Sequence, residues 1–284
     1  PESEVQLMVQ SIKRLFKSNY LFTLGVIICL AWIAAAILAP ALAPYAPILQ
    51  DLGQRLKAPS SEHWFGTDNF GRDIFSRVLY GGRYSLLAGC LTVVIAGFIG
   101  TFYGAVAGYV GGWVDNVMMR IVDVVDSVPM MLYVILIMVV IGPGMKSIII
   151  ALGLTYWVRM ARIVRGQVLS LKNNEFVLAA KILGASTQRI FIKHLIPNMM
   201  GAIMVAIAMQ IPNAIFTEAF LSFVGLGVSA PMASWGTLCN DALPGIYVYP
   251  YQMLTPAIAI SVTILAFNLF SDGLRDAFDP KLKN

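Results

Sequence analysis

Few residues in this chain are equipped for chemistry, and where they sit is more telling than their types. One set is polar and helix-compatible: Glu175-Phe-Val-Leu-Ala-Ala-Lys-Ile-Leu-Gly184, followed by Ala185, Ser186 and, further on, His194-Leu-Ile-Pro197. Phe176, Ala179, Ala180 and Leu183 follow the i, i+3, i+4, i+7 spacing of an apolar helix stripe. Asn174 is a predicted N-cap, Glu175 suits the positive end of the helix dipole, and Gly184 is placed to end the helix in a left-handed conformation. Ser186 then caps a second helix running to Pro197. The small side chains of Ala179, Ala180 and Gly184 let another protein's groove approach the backbone closely. The chemistry implied is mechanical docking rather than bond-making; the bland alternative is an amphipathic linker lying on a membrane.

A second set is ionic. Arg120, Asp123 and Asp126 recur every three residues, as do Arg159, Arg162 and Arg165, so each trio lines one side of a helix. Opposite signs at equal depth allow Asp123 and Asp126 to pair with Arg159 and Arg162 as a gate. Solvated headgroup charges and a voltage sensor are the other readings, and three arginines at a helix end fall short of a stripe through a bilayer. A third set, Asn213, Glu218 and Asp241, is polar within apolar surroundings, where ionisable groups seldom face lipid; these are the candidate substrate-path residues, with a helix-capping or inter-subunit role the alternative for Glu218. Only His63 and His194 occur, so no cluster has metal-ligand spacing and no metal site is expected. No Gly-x-x-x-x-Gly-Lys-Ser/Thr loop is present, so neither ATP binding in that manner nor an enzymatic role is expected of this chain.

The elements that must carry these residues are membrane helices. Hydrophobic residues make up 58% of the 284 and charged residues 12%, about half the share usual in soluble domains. Crossing about 30 Å of hydrocarbon takes roughly 20 helical residues. The apolar runs predict six spans, at 20–42, 84–109, 118–141, 147–165, 197–221 and 253–272. The segment 219–240, with Gly225, Gly227, Pro231 and Gly236, reads as a loop or re-entrant turn. Glu2–Lys17 reads as an amphipathic surface helix. The run after it is too long for a signal-peptide core and lacks a cleavage site, which keeps it as a span. Ile74–Leu79 reads as a short interfacial helix that Gly81-Gly82 breaks before the second span. With both termini cytoplasmic, most of the 20 Lys and Arg fall inside, and the first outer loop is the exception. The net charge of +5 fits anchoring to membrane lipid and requires no nucleic acid. Cys29 and Cys90 are small apolar fillers within spans, and Cys239 lies alone in an outer loop. The chain divides into 1–82 (surface helix, first span, outer loop) and 83–284 (a five-span core with a coupling segment at 170–196).

The spacing Ala179-Ala180, Gly184, Pro197 resembles the loop with which permeases of ATP-binding-cassette importers grip their motor subunits. The whole chain resembles the C-type permease subunit of the dipeptide, oligopeptide and nickel uptake family. Matching stretches are Phe65-Gly-Thr-Asp68 with Gly71-Arg-Asp73, Ala107–Asp115, Gly142-Pro-Gly144, Arg165–Leu171, His194–Asn198, Glu218–Gly227, Ser234-Trp-Gly236 and Asp272–Pro280. It departs from the family pattern at Leu178, where an acid often precedes the two alanines, and at His194. The resemblance implies an all-α polytopic protein with the six-helix type I importer permease fold. It implies a homologous second permease, two ATPase subunits that hold ATP and Mg, and an extracytoplasmic substrate-binding protein. It also implies a prokaryotic inner membrane and peptides as cargo. Glu175, Leu178, Ala179, Ala180, Leu183, Gly184, Ala185 and Ser186 are then the coupling residues. An ion-coupled secondary transporter working alone is the rival, with Asp123, Asp126 and Glu218 as its ion sites; no inverted repeat supports it.

Overall fold

The computed structural model describes residues 16, 19–228 and 230–278. Among them there are helices and connecting loops with one isolated β-bridge, Thr67 to Asp73. The amphipathic helix expected over Glu2–Lys17 lies outside the described residues apart from Phe16, as do Asp279, Pro280, Lys281 and Lys283 at the other end.

Five helices are long and apolar enough to cross a membrane: α1 (Tyr20–Ile37), α2 (Ile74–Val110), α5 (Met145–Leu171), α7 (Thr187–Leu226) and α9 (Pro250–Phe278). Between α2 and α5 stand α3 (Gly112–Ser127) and α4 (Met130–Ile141), bent 85° apart. The third span expected over 118–141 is therefore a broken one. Pro129 lacks the N–H a continuing helix needs, and it forces Val128 into an extended conformation (φ −86°, ψ 125°). A twelve-residue α4 is about 18 Å long and cannot cross the hydrocarbon unaided. α6 (Glu175–Ile182) and α8 (Trp235–Ala242) are short and lie in the connections.

Three further expectations are corrected. Gly81-Gly82 does not interrupt the chain; α2 runs unbroken from Ile74. The glycines make room for Trp235: a Cβ on Gly82 would stand 2.9 Å from its indole, whose Nε1 donates to the Val78 carbonyl at 2.9 Å. The fifth span is also longer than 197–221. A π-turn over Phe191–Leu195 widens the helix just before Pro197, and that relieves the clash between the proline ring and the preceding turn. The stretch 219–240, expected as a loop or re-entrant turn, is helical at both ends: α7 continues to Leu226 and α8 begins at Trp235, with a loop only between them.

The helices pack side by side in the order α1, α9, α7, α2, α5, α4. Small residues let backbones meet at the two tightest crossings. On α2, Gly100, Gly104 and Gly108 face α5 at four-residue intervals; a Cβ on Gly100 would lie 2.6 Å from the Trp157 carbonyl, and one on Gly104 would overlap that of Ala161. At the α1–α9 crossing, Gly25 abuts the Ala266 carbonyl and Gly273 abuts Phe22. Bilayer hydrocarbon is as apolar as Leu, so close packing of this kind, rather than hydrophobic burial, holds the spans together.

Candidate functional site

The connection between α5 and α7 is a rigid elbow. α5 ends at Leu171, and Asn174 occupies the N-cap position of α6 with extended backbone (φ −69°, ψ 149°). Its side chain makes no capping bond; only its carbonyl accepts from Val177 and Leu178, at 2.9 and 3.1 Å. Gly184 takes φ +77°, where an L side chain is strained. Two bonds close the helix around it: Gly184 N–H to the Lys181 carbonyl and Ala185 N–H to the Ala180 carbonyl, both 3.0 Å. This paired pattern is a Schellman stop. Ser186 Oγ then accepts from Arg189 N–H at 3.3 Å and starts α7.

The buried face of α6 differs from the stripe expected over Phe176, Ala179, Ala180 and Leu183. Val177 and Ala180 are the buried pair, packed with Val164 and Val168 of α5 and Ile190, Leu195 and Met199 of α7. The i, i+3 period is right, but its phase is set by the apolar wall between α5 and α7, not by α6 itself. Glu175, Leu178, Ala179, Gly184 and Ser186 are exposed, Ala185 is half-buried, and Ile182 and Leu183 are each 85% exposed. The elbow therefore presents an apolar tip on a base anchored through Ala180. Lys181 lays its ammonium 5.4 Å from the Tyr109 ring centroid, a further tie to α2. Ile182 did not stand out in sequence because it falls off the predicted stripe. Its signal was an isoleucine beside Leu183 at a helix end with nothing for it to cover.

The same end of the bundle carries the ionic contacts. Arg162 donates to Asp126 at 2.7 Å and to Asp123 at 3.0 Å, so two of the expected partners of the gate are brought to one arginine. Arg159 meets no carboxylate among the described residues. The stronger pair is one that residue spacing did not single out: Arg165 grips Asp115 with both Nε (2.5 Å) and Nη2 (2.7 Å). Asp115 is buried and the contact bidentate, whereas the Arg162 pairs are exposed and worth less. Lys172 donates to the Gly108 carbonyl at 2.9 Å, tying the start of the elbow to α2.

The opposite end holds the three path candidates, and the structure separates them. Asn213 is exposed on α7 and donates to the Met209 carbonyl at 3.0 Å. Glu218 is fully buried. Its Oε1 accepts from Ser222 at 2.7 Å, the hydroxyls of Ser85 and Ser234 stand beside the carboxyl, and Oε2 has no bond among the described residues. It joins α2, α7 and the start of α8 rather than lining a cavity. Asp241 alone borders one, beside Arg72 and Arg77. Arg72 belongs to the ordered loop between α1 and α2 and Arg77 to the first turn of α2; Asp68 of that loop accepts from both, and buried His63 contacts Asp73 at 2.9 Å. Residue spacing did not single out this network, and the Phe65-Gly-Thr-Asp68 and Gly71-Arg-Asp73 stretches were its only trace. Cys239 is buried in α8, and burial pushes its thiol up to about 11.

Residues 100–284 match the family model of the binding-protein-dependent transport system inner membrane component, and residues 8–59 match that of the N-terminal transmembrane domain of oligopeptide transport permease C. The dipeptide transport system permease protein of Bacillus subtilis (strain 168) is 50% identical over 275 residues, covering 96% of this chain and 86% of that protein. The oligopeptide transport system permease protein of Escherichia coli (strain K12) is 42% identical over 282 residues, covering 99% and 93%. Among solved structures, an inward-facing form of the MetNI methionine ABC transporter shares the fold, with TM-score 0.60 and 16% identity over 72% of this chain and 96% of that chain.

Proposed function

The chain belongs to the family of binding-protein-dependent transport system inner membrane components, and from that premise we propose that it is one of two homologous permeases in an ATP-driven peptide importer. It is a multi-pass membrane protein and a transport subunit rather than an enzyme. The second permease completes the translocation path for di- and oligopeptides. Two ATP-binding-cassette subunits, holding ATP and Mg, dock on the elbow, and an extracytoplasmic binding protein delivers the cargo. Both termini face the cytoplasm of a prokaryotic cell, and with them the elbow.

The observation that carries the docking role is the exposed apolar tip of Ile182 and Leu183 on a Schellman-closed elbow. A flexible linker would dissipate a partner's motion. This one is tied to α5 and α7 through Val177 and Ala180 and to α2 through Lys172 and Lys181. Closure of the ATPase pair on ATP then draws the elbow along, and the outward and inward states of the path exchange populations according to which one nucleotide favours. Glu175, Leu178, Ala179, Ile182, Leu183, Gly184 and Ser186 form the contact face, with Ala180 and Ala185 holding it in place. Asp123, Asp126 and Arg162 act beside it as a gate contact that opens and re-forms; Arg159 is free to join that contact in another state.

Purification of this chain from its native membrane in mild detergent, with mass identification of co-purifying proteins, tests the reading. A second permease and two ATPases are expected. Recovery of the chain alone, or only with copies of itself, would replace this reading with an autonomous transporter.

A further inference from the structure

At the end of the bundle away from the elbow, a cavity of about 220 Å³ lies between the first outer loop and the re-entrant segment, bordered by Arg72, Arg77, Asp241, Asn240, Thr237 and Ser222. Both arginines are more than nine-tenths buried. Asp68 holds them in place: its Oδ2 accepts from Arg72 Nε at 2.7 Å and from Arg77 Nη1 at 2.6 Å. Its Oδ1 is occupied by the backbone N–H groups of Phe70 and Arg72, at 2.8 and 3.0 Å. The Phe70 ring, 4.8 Å from the Arg72 guanidinium carbon, fixes that guanidinium further.

Asp241 is held quite differently. A single oxygen reaches Arg77 Nη2 at 3.2 Å and Arg72 Nη2 at 3.6 Å, and the side chain is 46% exposed. Arg72 Nη1 donates to nothing among the described residues. Two guanidinium groups thus turn outward-pointing donors towards the cavity, and the carboxylate that meets them there makes longer contacts than Asp68 and is half in water. Planar guanidinium forks match carboxylates in shape and charge.

We propose that this cavity receives the terminal carboxylate of a small peptide, with Arg72 and Arg77 as donors and Asp241 as the displaceable group that occupies the donors when no peptide is bound. Displacement exchanges one carboxylate for another at the two guanidinium groups, with Asp241, already half in water, turned out to solvent. The volume is below that of drug-sized sites and accommodates a peptide end rather than a whole chain. The carboxylate assignment stands on this geometry; its attribution to a peptide rests on the permease reading above.

The test uses the assembled transporter in nanodiscs without nucleotide, with N-acetyl-Ala-Ala and its C-terminal amide as probes in saturation-transfer NMR titrations. The free acid is expected to bind at least about tenfold more tightly than the amide, since a charge-assisted pair is lost. Asp241→Asn should tighten the free acid severalfold by removing the competitor, and Arg72→Gln should weaken it by about tenfold. A merely structural Asp241 predicts the opposite sign for its own variant. That sign decides the matter even where Arg72→Gln folds poorly. Equal binding of acid and amide, or weaker binding in Asp241→Asn, overturns the site. Inorganic phosphate that binds as well as the free acid overturns the peptide assignment. ATP-dependent uptake of Ala-Ala, followed in parallel, keeps the two readings apart: uptake without discrimination at the cavity sinks the site alone. Acid-selective binding without any peptide uptake sinks the permease reading alone.

Discussion

Truncating the elbow tip, by Leu183→Ala alone and then with Ile182→Ala, should weaken ATPase docking without unfolding the permease. Both side chains are 85% exposed, so neither supports the fold and nearly all of their apolar surface is free for a partner. Burying a leucine side chain is worth about 1.5–3 kcal/mol, and truncation to alanine removes three carbons, about 2 kcal/mol at roughly 0.8 kcal/mol each. That converts to a roughly 30-fold weaker docking constant for Leu183→Ala, and the double variant should fall further. Val177→Ala is the matched control. Val177 is fully buried against Val164, Val168 and Ile190, so its truncation should lower the unfolding midpoint while leaving the docking face intact. The assay titrates purified ATPase subunits against the permease pair in nanodiscs and records thermal unfolding of each variant. If the double variant binds the ATPases as tightly as the parent, the tip is not the docking surface and its exposed residues belong to the lipid headgroup layer instead.

Two other substitutions and one labelling experiment probe the remaining contacts. Gly184→Trp finds open space for its side chain but must hold φ +77°, so it should cost about 1–2 kcal/mol of stability and, by covering the elbow, reduce transport far more than expression; uptake and membrane abundance measured together separate the two. Gly104→Ala would push a methyl into the Ala161 carbonyl, a backbone atom that cannot swing aside, and should lower stability by about 1–3 kcal/mol in a thermal-unfolding series. The Cys239 thiol, buried and raised to about 11, should resist maleimide at pH 7 until the end of the bundle away from the elbow is unfolded; rapid labelling of the native protein would contradict the packing of α8.

What the sequence made legible was whatever depends on local pattern. Apolar runs located the spans, and the left-handed stop at Gly184 and the cap at Ser186 were readable because each is decided within a few residues. The errors came where tertiary partners decide. Gly81-Gly82 has the composition of a break, yet it is a landing for Trp235, some 150 positions away. The face of α6 that is buried depends on the wall built by α5 and α7, so the same period acquired a different phase. The pairing of Arg165 with Asp115 follows from the packing of α2 on α5, which sets Gly108 against the Arg165 carbonyl and so starts α3 beside that arginine. The Asp68–Arg72–Arg77–Asp241 network could not be assembled from spacing, because Asp241 lies far along the chain from the loop it completes.

That contrast between stiff and compliant parts bears on how motion would travel. The elbow shares one buried cluster with α5 and α7, and the glycine ladder presses α2 onto α5 with backbone in near contact. Packed surfaces of this kind do not deform continuously, so a pull on the elbow is delivered to α2, α5 and α7 as a body. α3 is different. It is separated from α4 by an 85° break and joined to the body by Val122, buried against Ala96, Trp157, Val158 and Ala161, by the Tyr103 hydroxyl on the Met118 carbonyl, and by carboxylate–arginine contacts. Of these, the bidentate Asp115–Arg165 pair is the firmer, while Arg162 with Asp123 and Asp126 is exposed and easily exchanged for water. The firm pair sits at the start of α3 and the weak one near the break, so α3 is anchored at one end and releasable at the other. A swing of α3 about Asp115, with Pro129 as the compliant joint, has to release the Arg162 pairs and unseat Val122 from α2 and α5. Asp115→Asn should loosen the anchor and raise nucleotide-independent leak, whereas Asp126→Asn should ease release while preserving coupling. Leak and coupled uptake measured side by side in proteoliposomes distinguish the two, and identical phenotypes would mean that α3 moves as one with the rest.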